Sequence, residues 1–212
     1  MTYQWFSSPF KHILNIPKPD RTRLQQGDGV LRFYYDGSVP FSCNLTCQRC
    51  GANTRGDVRC KKQTCKYQPY CFIHQKSVLG LVVKLSNIPN AGLGLFTTRD
   101  IPRNAIVCPY GGELTNRQSL HQRYGVEPGD FAPYGLDGTS TGRWSKDSAC
   151  VRGVGSYANH ALEARANVRF APNNRTQTIN LISKKAIPSG SEILVNYGRD
   201  YFRDNMAEFR TK

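Results

Sequence analysis

The chain is predicted to be mostly β, built of small sheets, with a small metal-held module near its N-terminus. Three observations lead there. From about Gly80 onward the apolar residues come in short alternating segments cut by Gly, Pro and Asn, the period of strands. Helical spacing is confined to residues around 115–124 and to the C-terminal tail. Residues 43–74 are polar, cysteine-rich and short of large aliphatics, so they cannot bury enough apolar surface to fold without a metal.

In chain order, residues 1–42 form a basic extension in which Val30–Tyr35 reads as a strand running into an Asp36-Gly37 turn. Residues 43–78 are the Cys/His module. The main domain, 79–200, opens with Leu81, Val83 and Leu85 alternating with their neighbours. Gly94–Thr97 and Ala105–Val107 follow as strands, with the polar Thr98-Arg99-Asp100 before Pro102 as their turn. Thr115 and Gln118 form a capping-box pair ahead of Leu120 and Tyr124, and Gly125 ends that short helix. Residues 126–150 are loop-rich, with turns at Pro128-Gly129 and Asp137-Gly138. Asn167–Ala171, Gln177–Lys184 and Glu192–Asn196 read as further strands. The tail, 201–212, places Phe202, Met206 and Phe209 at helical spacing.

At 212 residues, 39% hydrophobic and 11% aromatic, the chain suits one medium domain plus an appendage. No window approaches the roughly 18 apolar residues of a membrane span, and the first twenty residues lack the apolar core of a secretory signal, so an intracellular protein with no membrane partner is expected. The net charge of +14 is uneven: residues 1–80 carry 12 basic and 4 acidic side chains. Such an appendage favours contact with a polyanion, nucleosomal DNA included, against the plainer reading of a solubilising surface.

Six of eight cysteines lie between Cys43 and Cys71, beside His74. Clustering next to a histidine without a secretion signal argues for metal over disulfides. Cys50, Cys60, Cys71 and His74 offer the donors zinc prefers, with Cys71 and His74 supplying two from one turn. Cys43, Cys47 and Cys65 remain, enough for a second ion if one thiolate bridges, or three spare thiols around one ion. The Cys50–Cys60 and Pro69–His74 text resembles a small Cys3His element common in proteins of large DNA viruses. A structural role is favoured over DNA reading.

Three strings carry the chemistry: Gly92-Leu93-Gly94, Tyr157-Ala158-Asn159-His160 and Asn196-Tyr197-Gly198. Glycine lets backbone approach a ligand closely, since no Cβ intervenes, although a tight hairpin explains a lone GxG equally well. A lone tyrosine is more often a half-buried core aromatic. In this order, with Pro109–Glu113 and Ala186–Gly198 around them, the strings resemble the SET-domain protein-lysine methyltransferases over roughly residues 80–202. The resemblance implies a SET-domain fold of small sheets, in which the Asn-His segment and the closing segment cross as a pseudoknot. It implies that Gly92, Leu93, Gly94, Asn159 and His160 bind S-adenosylmethionine, with Tyr197 beside them as the active-site tyrosine. Tyr110, Tyr157 and Tyr201 would line the lysine channel.

The chemistry accounts for these residue types. A free lysine with a pKa of about 10.4 is only about 0.1% neutral near pH 7.5, a cost of roughly 4 kcal/mol. An aromatic channel disfavours the ammonium by desolvation, a neighbouring sulfonium repels it, and tyrosine hydroxyls orient the amine.

The sequence also departs from the family. Ala161-Leu162 follows the Asn-His pair where Ser-Cys is usual, the next Asn is Asn167, and Ser156 stands where an Arg is common. No cysteine follows Cys150 in these 212 residues, so no C-terminal zinc site is expected, and the tail after Tyr197 would close the channel. The expected substrate is a histone or another basic protein tail, in the nucleus or on chromatin (a host nucleus or a virion for a viral chain). A zinc-dependent nucleic-acid-binding protein with an inactive SET-like domain is the competing reading, and a methyltransferase for a non-histone protein is a third.

Overall fold

The computed structural model describes residues 30–35, 39–44, 47–54, 56–65, 69–89, 91, 93–124, 134–148 and 153–198, with side chains for all of these except 30–35, 39–44, 47, 65, 72, 123 and 124. The basic extension before Val30, Gly92, Gly125, Tyr201 and the tail expected to be helical lie outside the described residues.

The fold is mostly β, as expected. Near the N-terminus β1 (Val30–Tyr35) pairs antiparallel with β2 (Val39–Asn44), and β3 (Cys47–Arg49) with β4 (Gln63–Cys65). A single helical turn, α1 (Phe72–His74), continues as a wider π turn over Gln75–Leu79. Gly80 closes that turn in the left-handed region at φ 67°, donating its N–H to Gln75 and Lys76.

The main sheet contains β5 (Leu81–Leu85), β6 (Leu93–Thr97), β7 (Ile106–Pro109), β11 (Asn159–His160), β12 (Val168–Asn173), β13 (Thr178–Ser183) and β14 (Glu192–Val195). Its order is β5-β6-β14-β12-β13-β7, with β11 also paired to β14. β13 shows why the sequence alternates: Ile179, Leu181 and Ser183 face inward while Thr178 is exposed. Of these, Leu181 joins Leu81, Leu95, Cys108, Val154, Val168, Ile187, Ile193 and Val195 in one core. Tyr110, Tyr157 and Tyr197 pack against the rim of that core.

Two local expectations are corrected. The helix α2 (Arg117–Tyr124) is capped by Asn116, whose Oδ1 accepts the Ser119 N–H at 2.9 Å; Thr115 belongs to the preceding strand. The stretch expected to be loop-rich contains β9 (Gly135–Asp137) and β10 (Ser145–Asp147), which complete a three-stranded sheet with β8 (Glu113–Thr115). Three-residue strands are too short for a period of two to register in the sequence. They are held instead by tertiary bonds, including Arg117 to Asp137 and the Trp144 indole N–H to Asn174 Oδ1 at 3.1 Å. Among the described residues no helix is long and apolar enough to cross a membrane.

β14 is knitted to residues 159–168 at both ends. Asn159 faces Leu194 and His160 faces Val195 in parallel register, and further along Val168 also faces Val195. Buried Asn167 closes the crossing: its Nδ2 donates to the Glu192 carbonyl at 2.7 Å and its Oδ1 accepts the Leu194 N–H at 2.8 Å. Asn167→Ala strands two backbone groups in the interior, at about 1–3 kcal/mol each. Urea denaturation is therefore expected to show a loss of roughly 2–4 kcal/mol, and a loss well below 1 kcal/mol would contradict this role for the side chain.

Candidate functional site

The Asn-His strand and the closing strand, some 35 residues apart in sequence, are brought side by side by the β11–β14 pairing. The chain leaves β14 at Val195, and the Tyr197 N–H donates to His160 Nδ1 at 3.2 Å. The Tyr197 hydroxyl donates to the Ala158 carbonyl at 2.8 Å, and its ring lies 5.4 Å from the His160 ring at a 58° tilt. Residues 158, 160 and 197 thus fix one another through backbone as well as side chains.

Tyr110 and Tyr157 reach the same rim by a close backbone approach. Val154–Tyr157 forms a 3-10 turn lying against Pro109-Tyr110-Gly111, and a Cβ on Gly155 would sit 2.5 Å from the Pro109 carbonyl oxygen. Only glycine fits there. Tyr110 is anchored edge-on to Phe170, with centroids 5.7 Å apart, and its hydroxyl donates to the Tyr134 carbonyl at 3.1 Å. Of the four tyrosines singled out in the sequence, three pack against the same core, and one of them, Tyr197, contacts His160; Tyr201 lies outside the described residues.

His160 is half-buried, and burial holds its pKa below the usual 6.5. Because Nδ1 accepts the Tyr197 N–H, the neutral ring carries its proton on Nε2. The folded form binds a proton less readily than the unfolded chain. The contribution of His160 to stability is therefore complete above pH about 6.5 and lost as the pH falls through that value toward the lower folded one. Thermal melts between pH 7.5 and 5.5 are expected to show a steeper loss in the wild type than in His160→Asn, whose Oδ1 keeps an acceptor for the Tyr197 N–H without titrating. Parallel curves would contradict it.

Of the residues expected to hold the cofactor, Leu93 and Gly94 open β6. The Leu93 carbonyl accepts from Asn159 Nδ2 at 3.0 Å. A Cβ at Gly94 would collide with Glu192 Oε1, so here the glycine makes room for a protein side chain and not only for a ligand. Glu192 was not legible as a site residue; a lone acidic residue in a strand ordinarily marks a solvent-facing position.

Four of the residues expected to hold zinc form a separate cluster. Cys50, Cys60 and Cys71 are buried, and their Sγ atoms and the His74 ring nitrogen all lie within 4.8 Å of one another. His74 Nδ1 is 3.4 Å from Cys50 Sγ and 3.3 Å from Cys71 Sγ. A tetrahedral zinc with Zn–S of about 2.3 Å and Zn–N of about 2.0 Å needs S···N edges of roughly 3.5 Å, so the donor set fits the ion. Burial acts to raise the Cys50 thiol, but hydrogen bonds from the Cys71 and Ala52 backbone and from His74 bring it down to about 7. At Cys71 burial and the adjacent Cys50 push the thiol up.

Around this cluster Arg49 and Arg59 clasp each other's backbone. Arg49 donates to the carbonyls of Cys60 and Arg59, and Arg59 to those of Cys50 and Arg49, at 2.7–3.3 Å. Three thiolates on a divalent ion leave one net negative charge, which two guanidinium groups bonded to the ligands' own backbone offset. The side chains of Cys43, Cys47 and Cys65 lie outside the described residues, although Cys47 and Cys65 are register partners on β3 and β4.

The SET domain family profile matches residues 92–198 of the chain. The histone-lysine N-methyltransferase EZH2 of Chaetomium thermophilum is 25% identical over 169 residues, covering 75% of this chain and 11% of that protein. The H3 lysine-36 specific histone-lysine N-methyltransferase of Mycosarcoma maydis is 22% identical over 173 residues, 74% of this chain and 16% of that one. Among solved structures, the Chaetomium thermophilum polycomb repressive complex 2 aligns at a TM-score of 0.48 and 25% identity, over 56% of this chain and 15% of that one. The chain thus spans less than a fifth of the length of each of these relatives.

Proposed function

The chain belongs to the SET domain family, and from that premise we propose that it is a protein-lysine N-methyltransferase using S-adenosylmethionine, with a histone tail as substrate. The observation that carries this reading is the meeting of Asn159-His160 with Tyr197 on adjoining parallel segments, inside the matched stretch and with Tyr110 and Tyr157 on the same rim.

When bound, S-adenosylmethionine supplies an electrophilic methyl group on a sulfonium. Leu93, Gly94, Asn159 and His160, with Gly92, are the residues assigned to hold it. The chain's own contribution is to strip water from the lysine and aim it. Half-buried tyrosine rings disfavour the ammonium, and hydroxyls already fixed on backbone carbonyls offer their lone pairs to the amine's hydrogens. Tyr197 need not remove the proton itself, since an ordinary tyrosine has a pKa of about 10 and bulk solvent serves.

Cys50, Cys60, Cys71 and His74 are assigned one structural zinc. Cys43, Cys47 and Cys65 are assigned a second, sharing a bridging thiolate. Nuclear or chromatin localisation follows from the proposed substrate, and the basic N-terminal region is assigned to nucleosomal DNA.

Calorimetric titration separates this reading from a DNA-binding protein with an inactive domain. S-adenosylmethionine is expected to bind the wild-type chain with micromolar affinity, and DNA only weakly and salt-sensitively. Tight, salt-sensitive DNA binding without cofactor affinity would overturn the enzymatic reading.

A further inference from the structure

Glu192 is 6% exposed and lies at the junction of the cofactor loop and the Asn-His strand. Its Oε1 accepts the Ser86 hydroxyl at 2.6 Å and Asn159 Nδ2 at 3.1 Å, and its Oε2 accepts the Asn87 N–H at 2.9 Å. Ser86 Oγ in turn accepts the Ile88 N–H at 3.0 Å. The same Asn159 Nδ2 donates its second hydrogen to the Leu93 carbonyl. Both amide hydrogens of Asn159 are therefore committed within the protein, one to each flank of the loop's closure. Gly94 is the residue whose missing Cβ admits the carboxylate.

We infer that Glu192 is the positioning residue of the cofactor site: one buried carboxylate fastens residues 86–88, at the entry to the glycine loop, to Asn159, on the strand beside Tyr197. This rests on reading the site as one for S-adenosylmethionine. Among the described residues each hydrogen-bond partner of the carboxylate donates to it, so an acceptor at both oxygens satisfies the set. An amide there would turn a donor toward donors and release the loop from Asn159. On that reading the loop and Asn159 would hold the cofactor before and during transfer alike. Their loosening weakens cofactor binding while sparing the step at Tyr197.

The test measures S-adenosylmethionine Kd by titration calorimetry, KM and kcat on a histone peptide, and melting temperature, for the zinc-loaded full chain. Glu192→Gln is expected to weaken cofactor binding by about tenfold or more, with kcat at saturating cofactor within about threefold of wild type. Asn159→Asp sets two carboxylates against each other and is expected to bind more weakly still. Adding Glu192→Gln to it restores a donor–acceptor pair and is expected to recover part of the affinity, which a merely structural role would not do. Ser86→Ala removes one donor and supplies the same readout should Glu192→Gln fail to fold; about threefold weaker binding is expected. A wild-type chain that does not bind S-adenosylmethionine overturns the functional reading itself. Wild-type binding with unchanged affinity in Glu192→Gln or in Ser86→Ala, or no recovery in the double variant, overturns the positioning role alone.

Discussion

Tyr197→Phe is expected to lower kcat for methyl transfer by about two orders of magnitude, the usual cost of removing one pre-aimed hydrogen-bonding group from a reacting centre. The ring stays, packed on the core rim and tilted against His160, and the Tyr197 N–H still holds His160 Nδ1. What is lost is the hydroxyl, fixed by its bond to the Ala158 carbonyl and so pre-aimed at whatever enters beside His160. That carbonyl loses its donor, so stability falls by about 1–2 kcal/mol and no further. Single-turnover kinetics with labelled cofactor, alongside a melt, check both numbers. An unchanged rate would remove Tyr197 from the site, and gross unfolding would mean that its ring rather than its hydroxyl had been tested.

Zinc removal is expected to have the larger effect on the fold. Among the described residues, the apolar cluster of the module consists of Cys50, Cys60, Cys71 and Ala52 with Tyr70 partly buried against it, so little apolar burial remains there once the ion is gone. Structural zinc in small Cys/His modules contributes roughly 10–16 kcal/mol at pH 7, far more than so small a cluster could supply from hydrophobic contacts. Chelation, or Cys60→Ser, is expected to unfold residues around 50–79 while leaving the main sheet protected, as amide hydrogen exchange would reveal. The change should reverse on adding zinc. Metal analysis of the native chain is expected to return two ions per chain, falling to one when Cys43, Cys47 and Cys65 are replaced. An unaltered exchange pattern after chelation would contradict the structural role.

The sequence showed which distant pieces meet but little of how they are held. Asn159-His160 and Tyr197 were legible because their residue types recur in a fixed order, and the folded chain makes them neighbours. The Cys50, Cys60, Cys71 and His74 cluster was legible because cysteine beside histidine has few other uses in such a chain. Glu192 and Asn167 were not. Each acts through hydrogen bonds to residues 25 or more positions away, a relation that leaves no local period. Asn167 stood out in the sequence only as a departure from the family pattern, yet it is the side chain that closes the crossing on β14. Gly94 looked like room for a ligand and proves also to be room for Glu192. The β8-β10-β9 sheet escaped notice because strands of three residues carry no readable alternation.

Incubating the zinc-loaded chain with labelled S-adenosylmethionine and core histones or nucleosomes, then locating the label by mass spectrometry, tests the central claim most directly. The account predicts methyl groups on lysine side chains of a histone tail, appearing about a hundredfold more slowly when Tyr197→Phe replaces the wild type. Absence of transfer to any histone by a chain that binds the cofactor, or label on a residue other than lysine, would contradict it.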